Sequence, residues 1–336
     1  MSKVSVCVPT YNYAHYLGDC IRSVLAQTCE DWELVIVDNH SSDNTAGIVR
    51  SFPDPRIRFF ENDENIGVVR NWNRCVSLAH SEYVAILPAD DQYLPRMLER
   101  SVAMLDARPR VAFTHSTVHR IDERGTILDS VRWRDTDLVM DTETALRFLL
   151  MACYVSPPTV VMRRSCFEDA GRFDETFNFS IDWAMWLRLA LSHDVAYIAE
   201  PLARNRYQHP GSLTAQKVLR RPRLVTSEEI RLLEDTFARL PKTIEWRKIR
   251  DQAYRRLMGR HLDKTLRLLR QGETELFRSE LAYASRLHPA FPLKYRKMTA
   301  LWLASMFGAD FANWLDSSEQ QFWQLFRGTS ANGRSQ

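Results

Sequence analysis

The first 90 residues alternate between strand and helix periodicity, and this alternation limits the possible folds more than any other feature. Val4 to Thr10 is apolar and β-branched, and Tyr11-Asn12-Tyr13 interrupts it. Leu17, Ile21, Val24 and Leu25 then recur at helical spacing between Tyr16 and Gln27. Trp32 to Asp38 reads as a strand, closed by polar Asn39-His40-Ser41-Ser42; Ser42 or Asp43 can cap a short helix through Ile48 and Val49. A strand at Ile57 to Phe60, a helix at Val68 to Ala79 and a strand at Tyr83 to Leu87 complete the series. Strands alternating with helices predict an α/β fold with a twisted, mostly parallel sheet flanked by helices. Ligands of such sheets bind beyond the carboxyl ends of the strands. Here those ends carry Thr10-Tyr11-Asn12, Asp38-Asn39, Asn62 to Asn65 and Asp90-Asp91, all polar.

Further on, Pro95 to Leu105 reads as a helix, Val111 to Val118 as a strand, and 119–142 as a polar excursion. Thr159 to Met162 and Val195 to Ile198 are short strands on either side of an amphipathic helix, Ile181 to Leu191. From about residue 216 the chain is helical and rich in Arg and Leu, which predicts a catalytic domain over 1–215 and a basic helical region over 216–336. Charge follows the same division. Residues 1–215 hold 22 basic and 29 acidic side chains, and 216–336 hold 23 and 13, for nets of −7 and +10. The acidic half suits a metal and the basic half an anionic surface.

The apolar run that follows Met1-Ser2-Lys3, Val4 to Val8, is too short for a signal-peptide core, no stretch has the length of a membrane span, and the six cysteines form no C-x-x-C pair. A reducing cytoplasm is the expectation, with no zinc site. Dinucleotide, P-loop, serine-hydrolase and H-E-x-x-H motifs are all missing, and nothing resembles a nucleic-acid reader.

The acids carry the chemistry. Asp90-Asp91 ends an apolar strand, where two adjacent carboxylates are costly without a cation; Mg²⁺ or Mn²⁺, sharing its shell with diphosphate oxygens, offsets that cost. A solvated turn is the bland alternative, of about equal weight from spacing alone. Asp38 to Asp43 offers acceptors and donors for a base and ribose, though a turn with an N-cap explains the same run. Asp182 opens the helix Asp182-Trp183-Ala184-Met185-Trp186-Leu187, where the helix dipole favours a carboxylate that can act as a general base. A plain N-terminal charge is the alternative. His209 is placed to reach a phosphate or the metal, or else sits in a surface turn, while His115 and His119 read as structural.

Together these segments resemble family 2 glycosyltransferases of the GT-A fold, over roughly residues 4–215. The match runs through Val4 to Asn12, Ser23 to Thr28, Glu33 to Asp43, Asn65-Ile66-Gly67, Tyr83 to Asp91, Gly171 to Glu175 and Ile181 to Arg188. The resemblance implies an inverting transferase that moves a sugar from a nucleotide-diphospho-sugar to a glycan or lipid-linked glycan. Pro9, Thr10, Tyr11, Asn12, Asp38, Asn39 and Asn65 would line the nucleotide pocket, with Asp90 at the ribose or diphosphate. Asp91 would hold the metal, for which His209 is the further candidate ligand read from its own segment; Asp182 would be the base and Trp186 would support its helix. Three departures stand out. Pro88 replaces an acid common two positions before the pair, Asn39 replaces a second acid, and Ile181 replaces a glutamate common before the base. The competing readings are a catalytically silent sugar-nucleotide-binding scaffold and a nucleotidyltransferase; the latter lacks its Gly/Arg/Lys-rich loop after the first strand.

Lys294, Arg296 and Lys297, followed by Trp302, Phe307, Phe311, Trp314, Phe322 and Trp323, suit a helix lying on anionic lipid. That reading predicts a cytoplasmic protein peripheral to the membrane. Packing on the catalytic domain, or a homo-oligomer contact, is the alternative.

Overall fold

The computed structural model describes residues 2–207, 209, 212 and 222–287. The basic aromatic stretch beyond 287 lies outside them. The chain forms two compact units, one of residues 1–216 and 231–253, the other of residues 217–230 and 254–336.

The first unit is built on a 10-stranded sheet. Strands β1 (Val4–Thr10), β2 (Trp32–Asp38), β3 (Ile57–Glu61) and β4 (Tyr83–Ile86) are parallel in the order β3-β2-β1-β4. Every residue of β1 is buried, as expected of a parallel strand covered on both faces. On one face Val4, Val6 and Val8 meet Leu17, Ile21 and Val24 of α1 (Ala14–Leu25). On the other, Cys7 and Val35 meet Cys75 of α3 (Val68–Ser77), whose thiol donates to the Val35 carbonyl. Between them, α2 (Thr45–Arg50) follows β2, and the Asp43 carboxylate accepts from Ala14 N at 2.9 Å and from Thr45 N at 3.1 Å, satisfying the first turns of α1 and α2 together. The two-residue β5 (Gln92–Tyr93) and α4 (Met97–Ala107) come next.

The sheet continues through β9 (Val161–Arg163), β6 (Val111–Ile121) and β10 (Asp194–Arg206). β9 is antiparallel to β4 and β6, so β6 and its parallel partner β10 point the same way as β1 to β4. Six strands therefore end at one rim. β10 runs eight residues past the expected end at Ile198, because its register shifts at Pro201 break the apolar pattern without ending the pairing. The polar excursion also contains β7 (Ile127–Val131), exposed at all five positions, and β8 (Leu138–Met140). α5 (Thr142–Leu149), capped by Asp141, and α6 (Arg164–Ala170) precede α7 (Ile181–Ala190).

The tail helices are Pro222–Ala238, Ile244–Arg270 and Thr274–Leu287. Within the second unit, buried His261 accepts or donates at Thr226 Oγ1, 2.9 Å away. No helix among the described residues is long and apolar enough to cross a membrane.

Candidate active site

The rim is assembled by backbone before any side chain is considered. Asn39 N donates to the Thr10 carbonyl at 2.9 Å, and Asn62 N to that of Asp38 at 2.8 Å. Asn12 holds φ at 54°, a left-handed conformation that Asn tolerates better than most residues. Its amide oxygen accepts from Ser42 N at 2.8 Å, and its own N–H donates to Ser41 Oγ at 2.8 Å. Asp38 is buried and turned onto Ser41, whose hydroxyl donates to it at 2.5 Å. The thiol-lined β1 ends at Thr10, whose buried hydroxyl has no partner among the described residues, while Tyr11 is 45% exposed beyond it. Pro9 stays inside the sheet.

Asn39 and Asn65 belong to an amide network. Asn39 Nδ2 donates to Asn65 Oδ1 at 2.8 Å, and Asn39 Oδ1 accepts from Asn62 Nδ2 at 2.8 Å and Ile66 N at 3.0 Å. Asn62 also donates to Asn71 Oδ1, and Asn71 to the Val37 carbonyl. Asn39 thus fixes the rim loops to one another. α3 carries two buried asparagines, and the second, Asn73, clamps a distant segment: its amide donates to the Phe173 carbonyl and accepts from Phe173 N, both at 2.9 Å. Sequence periodicity does not reveal these roles. The available signal was two amides, Asn71 and Asn73, in a helix otherwise buried through Val69, Cys75 and Val76.

The acid pair divides sharply. Asp91 is 2% exposed; Asn205 Nδ2 donates to both its oxygens, at 3.0 and 3.1 Å, and Arg206 N donates to one at 2.8 Å. Burial and the adjacent Asp90 push its carboxyl above the ordinary range, against those donors. Asp90 keeps its carboxylate toward the rim, where His209 Nε2 lies 2.8 Å from Oδ2. The His209 ring is enclosed edge-on by Tyr13 and Tyr16, with centroids at 5.8 and 5.3 Å. Arg206, itself buried, stacks on Tyr16 and donates to the carbonyls of Asp90, Asp122 and Glu123. The end of β10 thus positions the pair, a task that a strand ending at Ile198 could not perform.

Asp182 reaches the same rim by topology. α7 packs on β6 and turns through only 191–193 into β10, so it runs antiparallel to both strands. Its N-terminus therefore points toward their carboxyl ends, at about the level where β4 ends. Asp182 is half-buried, accepts from Trp183 N at 2.8 Å, and has Cys153 Sγ 3.8 Å from Oδ2. Burial raises its pKa to about 6. Trp186, one turn on, packs against Phe113 at 5.2 Å.

The profile of Glycosyl transferase family 2 matches residues 5–171. The putative teichuronic acid biosynthesis glycosyltransferase TuaG of Bacillus subtilis is 31% identical over 197 residues, covering 58% of this chain and 74% of TuaG. This chain belongs to glycosyl transferase family 2. Another relative, from Escherichia coli, is the UDP-Glc:alpha-D-GlcNAc-diphosphoundecaprenol beta-1,3-glucosyltransferase WfgD, 27% identical over 58% of this chain and 72% of WfgD. Some family members are far longer: the chain spans 33% of an uncharacterized glycosyltransferase of Rickettsia conorii. The fold is GT-A. The crystal structure of S. aureus TarS 1-349 in complex with UDP superposes with a TM-score of 0.64 at 18% identity, covering 95% of this chain and 91% of that one. The mannosyltransferase PcManGT of Pyrobaculum calidifontis, in complex with GDP-Man and Mn2+, gives 0.55 at 19% identity, covering 95% and 88%.

Among the described residues no group of three or more His, Cys, Asp or Glu side chains could hold a metal. Asp90 Oδ2 and His209 Nε2 share a hydrogen bond. The pair fits a divalent cation that takes the place of that bond and draws its remaining ligands from diphosphate and water oxygens.

Proposed function

We propose that this family 2 glycosyltransferase is an inverting enzyme that transfers a sugar from a nucleoside-diphospho-sugar to a hydroxyl of a lipid-linked glycan, in surface-polysaccharide synthesis. The observation that carries the reading is the direction of α7, which turns its N-terminal Asp182 toward the rim that holds Asp38, Asp90 and His209. WfgD's named acceptor and TuaG's named pathway support the lipid-linked glycan and the polysaccharide role.

The chemistry follows from those positions. The nucleoside lies over Thr10 to Asn12 and Asp38, with Asn39 and Asn65 holding the rim loops in shape. The diphosphate lies at Asp90. Asp182 accepts the proton of the acceptor hydroxyl as its oxygen bonds to the anomeric carbon. The bond from that carbon to the diphosphate oxygen breaks, and the nucleoside diphosphate leaves with the electron pair. Attack opposite the leaving group inverts the anomeric centre in one displacement. Asp90 and His209 would hold a divalent cation, which when bound would supply Lewis-acid neutralisation of the leaving diphosphate. Family resemblance assigns the cation to Asp91; the geometry favours Asp90, because both oxygens of Asp91 are already engaged by protein donors. The basic aromatic stretch beyond residue 287 suits attachment to the cytoplasmic face of an anionic membrane.

A panel of UDP- and GDP-sugars tests the reading, with Mn²⁺ or Mg²⁺ present or chelated. Thermal stabilisation and slow hydrolysis of at least one donor are expected, both reduced by chelation. A panel in which no nucleotide sugar binds under either condition contradicts it.

A further inference from the structure

Three buried polar atoms around the base have no hydrogen-bond partner among the described residues: Trp186 Nε1, His115 Nε2 and the Tyr154 hydroxyl. Trp186 is 1% exposed and His115 2%. Buried polar atoms are nearly always paired, so three unpaired ones together point to a missing partner.

The three belong to one place. Trp186 packs on Phe113, and His115 stands two residues further along the same face of β6. α7 runs antiparallel to β6, so the four residues from Trp186 back to Asp182 advance about 6.0 Å while the strand from Phe113 to His115 advances about 6.6 Å. Asp182 and His115 are therefore level. Tyr154 meets the His115 ring edge-on at 5.5 Å, and its chain neighbour Cys153 touches Asp182. Trp133 stacks on Tyr154 at 5.3 Å and is itself pinned, since Tyr197 OH accepts from Trp133 N and donates to the Arg134 carbonyl. Trp133 and Tyr154 are half-buried and form the outer rim of this wall.

We propose that His115, Trp133, Tyr154 and Trp186 form the acceptor subsite, taking a neutral pyranose ring whose attacking hydroxyl faces Asp182. The inference rests on the transferase reading above and adds the substrate class at that site. Aromatic rings suit the apolar C–H faces of a pyranose, and the unpaired N–H and O–H groups suit its hydroxyls. The hydroxyls reach those atoms through a bridging water or a small shift of the Tyr154 ring. Burial lowers the His115 pKa to about 3, so the imidazole is neutral and offers one donor and one acceptor. Arg134 lies over Trp133 and is exposed. Among the described residues an anionic sugar in the wall would face Asp182 with no buried counter-charge at these four side chains.

The test uses the full chain with its histidine rings labelled with ¹⁵N, saturated with UDP and titrated with methyl α-glucoside. The His115 ring resonances are expected to shift saturably. Trp133→Ala should weaken the glucoside by about tenfold, and Tyr154→Phe, which removes only a hydroxyl, by about three- to tenfold. UDP affinity should stay within about twofold in both variants. Unmoved His115 resonances overturn the inference, as does equal weakening of UDP in the variants. A stronger response to methyl α-glucuronide overturns the neutral class. Wild-type protein that binds the glucoside but no nucleotide contradicts the transferase reading and leaves the sugar subsite standing.

Discussion

Replacing Asp182 with Asn is expected to lower turnover by about 10²–10⁴-fold, the usual contribution of a general base, with donor affinity within about twofold of wild type. The substitution keeps size and shape, and the amide oxygen can still accept from Trp183 N. What is lost is the site for the acceptor's proton. The pH profile gives an independent check. Burial raises the Asp182 pKa to about 6, and only the ionised form can take a proton. The wild-type kcat/KM should therefore be flat above that value and fall about tenfold per pH unit below it. A solvent-exposed aspartate would place the same limb near about 4. Initial rates between pH 4.5 and 8.5 decide this, provided the fold is shown to persist at each pH. A limb near 4, or an active Asp182→Asn enzyme, removes Asp182 from the mechanism.

The acid pair gives the second large contrast. Asp90→Asn should reduce cation-stimulated turnover by at least about 10²-fold with little change in Tm, because Asp90 faces His209 rather than the core. Asp91→Asn should act mainly on stability, by about 1–3 kcal/mol, because an amide set among the donors Asn205 Nδ2 and Arg206 N cannot accept all of their bonds. Urea denaturation alongside Mn²⁺ titration of the rate separates the two. If Asp91→Asn abolishes the metal response and Asp90→Asn leaves it intact, the cation belongs to Asp91.

Much of the frame was legible in the sequence. Strands β1, β2 and β4 are largely apolar runs because both their faces are covered, and such runs stand out from their polar ends. The start of α7 was equally clear, because Ile181 onward is apolar around a single acid. β7 was not legible, since all five of its residues are exposed and carry no alternation. Nor was the distal half of β10, which Glu200 and Pro201 disguise. That omission concealed Asn205 and Arg206, and with them the different settings of Asp90 and Asp91. The Asn39–Asn62–Asn65–Asn71 network was illegible for another reason: amides satisfied by one another look like ordinary loop residues until pairing across the sheet brings them together.

The most direct measurement is a crystal structure with a nucleotide sugar that the donor panel identifies, soaked with a slowly reacting or non-transferable analogue. The account predicts the diphosphate at Asp90 and the Asp182 carboxylate on the face of the anomeric carbon opposite the leaving oxygen. A donor seated away from β4's end, or one whose anomeric carbon turns its leaving-group side to Asp182, contradicts it.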